Sequence, residues 1–208
     1  MNTHTKFKIK YLSTVLLILC VFSFTSAQED LFSSIREESE VTKTELLPKK
    51  MVFTQRILWG ENGLMRMTQW SPLTIEQREK ELKVRRKMLK AHQIIGFVTL
   101  AGMIAQGVIG TQLYKRDYRH YKKHKTIGNL TSIGYFTGAS LSLFAPPPLI
   151  NRISKGLSSS QAHKYLATIH FSAMVATNLL AEENKQLHRA AAFTAFGSYA
   201  AAILVFKF

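Results

Sequence analysis

Four histidines stand at the mouths of four apolar stretches: KAHQIIGF around His92, HKTIG from His124, HKYLA from His163 and HRAAA from His188. Each is followed at the fourth residue by a small one, Gly96, Gly128, Ala167 and Ala192. Neutral imidazole is a good axial ligand for haem iron, and two imidazoles complete an octahedral site. A residue four positions on lies on the same helix face one turn deeper. A small side chain there leaves room for a flat macrocycle against the backbone. A single interfacial histidine is ordinary, and Gly and Ala are common wherever membrane helices approach one another. Four repeats of one arrangement are a pattern, and polar residues within membrane spans are expensive and usually functional.

The elements that must position these residues are written in the charge distribution. Twenty-eight Lys and Arg against thirteen Asp and Glu give a formal net charge of +15 in 208 residues. Such an excess suits nucleic acid or a membrane surface. The stretches Ala91–Tyr114, Thr126–Asn151, Tyr165–Ala181 and Ala190–Phe206 hold no charged side chain, and the cations gather between them. That segregation argues against a nucleic-acid partner and for helices immersed in lipid, which need about 20 apolar residues to cross. The two shorter segments predict helices extended into the interface through His163-Lys164 and His188-Arg189. The expected fold is an all-α membrane protein, an antiparallel four-helix transmembrane bundle over residues 91–208.

Two regions precede it. Lys6, Lys8 and Lys10, an apolar run from Tyr11 to Phe24 and the small residues Thr25-Ser26-Ala27 predict a signal peptide over residues 1–27. Cys20, the one cysteine, falls inside it, so cysteine chemistry is not expected of the mature chain. Residues 28–90 carry ten of the thirteen acids and are read as an extramembrane segment. Within it Asn62-Gly63 signals a turn. Thr74 is expected to cap a helix with Gln77 three residues later. Glu79–Lys83 and Glu81–Arg85 are expected i,i+4 pairs on a solvated helix that runs on into the first span. Trp59, Met65, Met67 and Trp70 are placed against headgroups or the bundle mouth. Ala145-Pro146-Pro147-Pro148 is expected to end the second span.

In such a bundle alternate helices enter from the same side. His92 and His163 then share one level, and His124 and His188 the other. Each pair predicts a haem, two in all, with Lys90, Lys125, Lys164 and Arg189 near the propionates. His170, two turns beyond His163, is the alternative ligand on that helix, and His120 reads as a solvated loop residue. Met103, Met174, Phe97, Tyr135, Phe136, Phe171, Phe193 and Phe196 are the expected core. Gln106, Gln112, Asn129 and Asn178 are expected to bond across helices.

Four successive helices, each with a histidine near its start, resemble the core of the eukaryotic-type cytochrome b561 family, with HKTIG the closest local match. The resemblance covers residues 90–208 and suggests a bacterial relative. It implies two b-type haems, each held by histidines from alternate helices, and electron transfer across a membrane. The extended pattern of ascorbate-using relatives is missing, so a small-molecule or protein donor and acceptor are expected without being named. The signal peptide places residues 28–90 on the periplasmic side of a bacterial inner membrane and the basic loop near residues 113–125 inside. Two other readings use the same helices: a membrane scaffold whose histidines are interfacial anchors, and a subunit of a quinone-linked oxidoreductase.

Overall fold

The computed structural model describes residues 46–149 and 158–205, and among these the only regular elements are helices. Two short helices, α1 (Phe53–Trp59) and α2 (Leu64–Met67), lead into four long ones: α3 (Ile75–Tyr114), α4 (Tyr121–Leu143), α5 (Ser159–Leu179) and α6 (Lys185–Leu204). A 3₁₀ turn, Tyr118–His120, joins α3 to α4. The expected signal peptide, Cys20, the segment before residue 46 and the chain ends at Asn151 and Phe206 lie outside the described residues.

Local sequence sets each boundary. Thr74 caps α3, its hydroxyl accepting from the Gln77 N–H at 3.3 Å. No proline interrupts the next 40 residues, so the charged run and the first apolar stretch form one helix. At about 1.5 Å per residue, α3 is close to 60 Å long, about twice a bilayer's hydrocarbon thickness. It is the one described helix that is long and apolar enough to cross a membrane, judged by length and composition. Helix α4 stops at Leu143, ahead of three prolines that lack the N–H to continue it. It begins at Tyr121, five residues before the uncharged stretch. Helices α5 and α6 likewise begin ahead of theirs. A Ser158–Gln161 capping box starts α5, and the Asn184 side chain, accepting from the Gln186 and Leu187 N–H groups, starts α6. Lys164, Arg189 and the histidines beside them are therefore helical.

Helices α3 and α4 form one antiparallel hairpin and α5 and α6 another. The first is drawn close by glycines set against threonines. A Cβ on Gly102 would lie 2.5 Å from the Thr131 hydroxyl, and one on Gly134 would lie 3.2 Å from that of Thr99. The hairpins meet where the Tyr199 hydroxyl donates to the Gly96 carbonyl at 3.1 Å, and where Ser132 donates to Asn178 at 2.9 Å. Met103, Tyr135, Ala173, Met174, Ala195 and Tyr199 are the buried centre, flanked by Leu100, Phe136, Ala139, Phe196 and Ile203. Phe171 and Phe193, expected in the core, are exposed. So are Ile94, Val98, Ile104 and Val108 of α3, and Leu130 and Ile133 of α4. These helices are apolar on their outer faces as well as their inner ones.

The charged half of α3 departs from the solvated helix expected of it. Glu81 is 2% exposed and bonds Arg66, Arg78 and Ser71 rather than Arg85. Arg66 grips both Glu81 carboxylate oxygens. Arg78, 1% exposed, also donates from Nε to Leu46 O at 2.8 Å and from Nη2 to Pro147 O at 3.1 Å. Arg85 reaches Pro146 O at 2.7 Å. The i,i+4 geometry alone missed this because α1 and α2 fold back over α3 and bring Arg66 to the carboxylate. The chain reversal between them falls at the expected Asn62-Gly63 turn. Trp59 donates its indole N–H to Phe144 O at 3.0 Å, so it closes on the end of α4, while Trp70 is 80% exposed.

One carboxylate is thus shared by two buried guanidinium groups, Arg66 from the segment that covers α3 and Arg78, which reaches the proline segment. Burial works to raise the Glu81 pKa, and the hydrogen bonds from Arg66, Ser71 and Arg78 outweigh it, so the net shift is downward. A lowered folded-state value means that the contribution is full above the unfolded pKa, about 4.3, and fades as pH falls through the folded one. Glu81→Ala leaves both arginines uncompensated and is expected to cost about 3–5 kcal/mol. Limited proteolysis at neutral pH should cut between residues 46 and 74 in the variant well before the parent protein, and the parent should acquire the same sensitivity only as pH falls below the unfolded carboxyl's value and through the lowered folded one.

Candidate functional site

The hairpins bring the four histidines together two by two. His92 of α3 and His163 of α5 have ring centroids 6.4 Å apart with planes at 90°. His124 of α4 and His188 of α6 have centroids 6.2 Å apart with planes at 80°. All four rings are half-buried. His170, the alternative on α5, does not join either pair. It is 9% exposed and its Nδ1 lies 2.6 Å from the Tyr135 hydroxyl.

Each ring's second nitrogen is held by the packing of the hairpins. His92 Nδ1 lies 2.8 Å from Gly138 O on α4. His163 Nδ1 lies 3.1 Å from Ala202 O on α6, and His188 Nδ1 2.8 Å from Thr177 O on α5. A carbonyl only accepts, so each of these nitrogens carries the proton and Nε2 keeps its lone pair for a ligand. His124 differs: its Nδ1 is buried with no hydrogen-bond partner among the described residues.

The antiparallel register separates the pairs by a fixed interval. His124 stands fourteen residues before Gly138, His163 fourteen before Thr177 and His188 fourteen before Ala202. Fourteen residues of helix rise about 21 Å. That is shorter than the roughly 30 Å upper limit set by whole apolar segments. Between the levels lie Tyr135, His170 and Tyr199, with His170–Tyr199 centroids at 5.0 Å, together with Met103 and Met174.

The geometry can be set against the group expected there. Metal–imidazole bonds of about 2.0–2.1 Å, with about 1.1 Å more from nitrogen to ring centre, place two trans rings about 6.3 Å apart. The observed 6.4 and 6.2 Å agree. Among the described residues no group of three or more His, Cys, Asp or Glu side chains converges. A bare ion would find only two ligands at each level. A haem iron brings four nitrogens of its own and lacks two, which is what each pair offers. The residues fit haem better than a free metal ion.

Other expected roles are distributed differently. Two of the small residues after the histidines have close neighbours on other helices: the Gly96 carbonyl receives the Tyr199 hydroxyl, and a Cβ on Gly128 would stand 3.6 Å from the Gln106 amide. Lys125 is paired with Glu182 at 2.9 Å, and Arg189 lies over the Tyr114 ring at 4.0 Å, while Lys90 and Lys164 are exposed. His120 lies 3.7 Å from Asp117, whose carboxyl is held down at about 2 chiefly by its hydrogen bond from Arg119. Gln106 bonds His124 O across helices at 2.9 Å, whereas Asn129 and Gln112 are exposed. Reading the spacing missed Tyr199, Thr99 and the three carbonyls behind the rings. A carbonyl has no sequence signal, although the small residues Gly138 and Ala202 mark where a ring can reach one.

Comparison with family models, with curated proteins and with solved structures finds no match to the chain.

The Tyr135–His170 bond makes a prediction separate from the four paired histidines. Tyr135→Phe leaves a buried imidazole nitrogen without its partner, at a cost of about 1–3 kcal/mol. Thermal unfolding should shift down accordingly, while any visible absorption of the purified protein stays as in the parent.

Proposed function

We propose that the chain is a transmembrane di-haem cytochrome of the b561 type, a four-helix bundle holding two haems b and moving electrons between its two ends. The observation that carries this reading is the pair of histidine pairs, each at the ring spacing of trans axial ligands and set at opposite ends of the helices. His92 and His163 are assigned to one haem, and His124 and His188 to the other.

Apolar outer faces support a lipid environment for more than α3. Leu130 and Ile133 on α4, Ile169 on α5 and Phe193 on α6 are exposed where a water-soluble bundle would present polar groups. The uncharged stretches contribute fifteen helical residues to α5 (165–179) and fifteen to α6 (190–204), a rise of about 22 Å each, and are lengthened by their histidine-bearing first turns. In this arrangement the cap formed by α1 and α2 sits at the His92–His163 end, on the outer face of a bacterial inner membrane, and the basic turn from Lys115 to Lys125 lies on the cytoplasmic face.

Bound haem iron supplies one-electron chemistry. His92 and His163 at one level, and His124 and His188 at the other, would hold it and leave no position open for oxygen, so outer-sphere transfer would be favoured. Backbone carbonyls behind His92, His163 and His188 fix ring orientation and raise ligand basicity. The packed layer of Tyr135, His170 and Tyr199 keeps water from the interval between the levels. The reductant and oxidant are a small molecule or a protein reached from the two ends.

Purified protein from haem-replete cells should give a reduced b-type spectrum with about two haems per chain. His92→Ala and His163→Ala should each lose the same haem, and His124→Ala and His188→Ala the other, while His170→Ala keeps both. A folded but colourless preparation sinks the reading and favours a scaffold. In sealed vesicles with an impermeant reductant on one side and an impermeant oxidant on the other, the parent should pass electrons. His92→Ala or His188→Ala should reduce the rate at least tenfold, and wild-type rates in either would end the relay.

A further inference from the structure

We propose that Gly110 makes the His124–His188 centre the more oxidising of the two, so that electrons run from the His92–His163 end towards it. This rests on the two-haem reading and concerns what the chain does to each iron.

Three of the four rings donate from Nδ1 to a helix carbonyl. Such a bond shifts electron density towards Nε2 and makes the imidazole a stronger donor. A stronger donor stabilises the ferric state and lowers the midpoint potential. His92 and His163 both have this support. At the other level His188 has it and His124 does not. With a metal on Nε2, His124 Nδ1 must carry the proton, and that proton has no acceptor among the described residues. The weaker donor set at this level favours the ferrous state.

The cause lies in what faces the ring. Gly110 of α3 backs His124: a Cβ there would lie 3.2 Å from Cε1 and 3.7 Å from Nδ1. Lacking a side chain, Gly110 admits the ring and offers it no oxygen. Gln106, one turn earlier, directs its amide to the His124 backbone carbonyl at 2.9 Å, so it does not serve the ring either. Nearby charge does not separate the levels: Lys125 is paired with Glu182 and Arg189 stays a cation over Tyr114 at this end, while Lys90 and Lys164 stand exposed at the other.

Potentiometric titration followed by absorption tests the assignment without reference to turnover. The His92→Ala/His163→Ala protein retains the His124–His188 centre, and the His124→Ala/His188→Ala protein retains the other. The first should have the more positive midpoint; equal or reversed midpoints overturn the inference. Should a double variant fail to fold, Gly110→Ser in the otherwise intact protein decides. Its hydroxyl supplies an acceptor beside Nδ1, so the more positive of the two waves should move to lower potential and the other should stay. No movement, or movement of the more negative wave, overturns the proposal. A wild-type protein that binds no haem defeats the underlying reading instead, and is distinguished by having no wave at all.

Discussion

The organisation of this chain depends on helix backbones coming close enough for an imidazole on one to reach a carbonyl on the next. A helical carbonyl is already bonded to the N–H four residues on, but it keeps a second lone pair. A side chain reaches it most easily where the neighbouring helix presents little bulk, although His188 also reaches Thr177 O. Gly138 and Ala202 meet that condition for His92 and His163. The Gly102–Thr131 and Gly134–Thr99 contacts hold α3 and α4 at the necessary distance. One antiparallel register within each hairpin therefore fixes both levels at once. Because the interval is the same fourteen residues on α4, α5 and α6, slipping either hairpin by one residue would spoil the orientation of rings at both ends.

A different force holds the cap. Apolar packing alone would leave α1 and α2 little to grip, since Phe53, Ile57, Met67 and Trp70 are exposed. Their attachment is polar: Arg66 and Ser71 bind Glu81 of α3, and Thr54 and Trp59 donate to the Leu143 and Phe144 carbonyls. The prolines explain why those carbonyls can be reached. Ending α4 with residues that cannot continue a helix leaves its last carbonyls without intrahelical partners. Side chains from the cap take their place.

What the sequence disclosed, and what it hid, follows from the range of each interaction. Helix identity, the Thr74 cap, the stop before the prolines and the Asn62-Gly63 turn are local, and each could be read from a few neighbouring residues. The pairing of His92 with His163 and of His124 with His188 was legible because alternation of direction is a property of the whole chain. The Arg66–Glu81–Arg78 cluster was hidden. Glu81 has a plausible partner at Arg85, and nothing local reveals that a segment fifteen residues upstream displaces it. The neighbours of Gly96 and Gly128 were hidden for a similar reason. Smallness marks a place where something comes close, but only the fold says that it is Tyr199 or Gln106. His170 illustrates the reverse: its spacing suits the bundle interior, and a tyrosine on another helix decides its use.

The layer between the histidine levels gives that tyrosine its importance. Two sites about 21 Å apart along the helices communicate only through what fills the interval, and here it is filled by Tyr135, His170, Tyr199 and two methionines rather than by aliphatic side chains alone. Buried polar aromatics must be satisfied. Tyr199 is satisfied by Gly96 O on α3, and Tyr135 by His170 on α5. The two bonds tie the hairpins together, Tyr199 to α3 and Tyr135 to α5, and both tyrosines stand one turn from the His92–His163 level. Ser132 adds a further bond to Asn178 between α4 and α5, so side-chain hydrogen bonds and the shared apolar centre, as well as the rings at the two ends, hold the hairpins together.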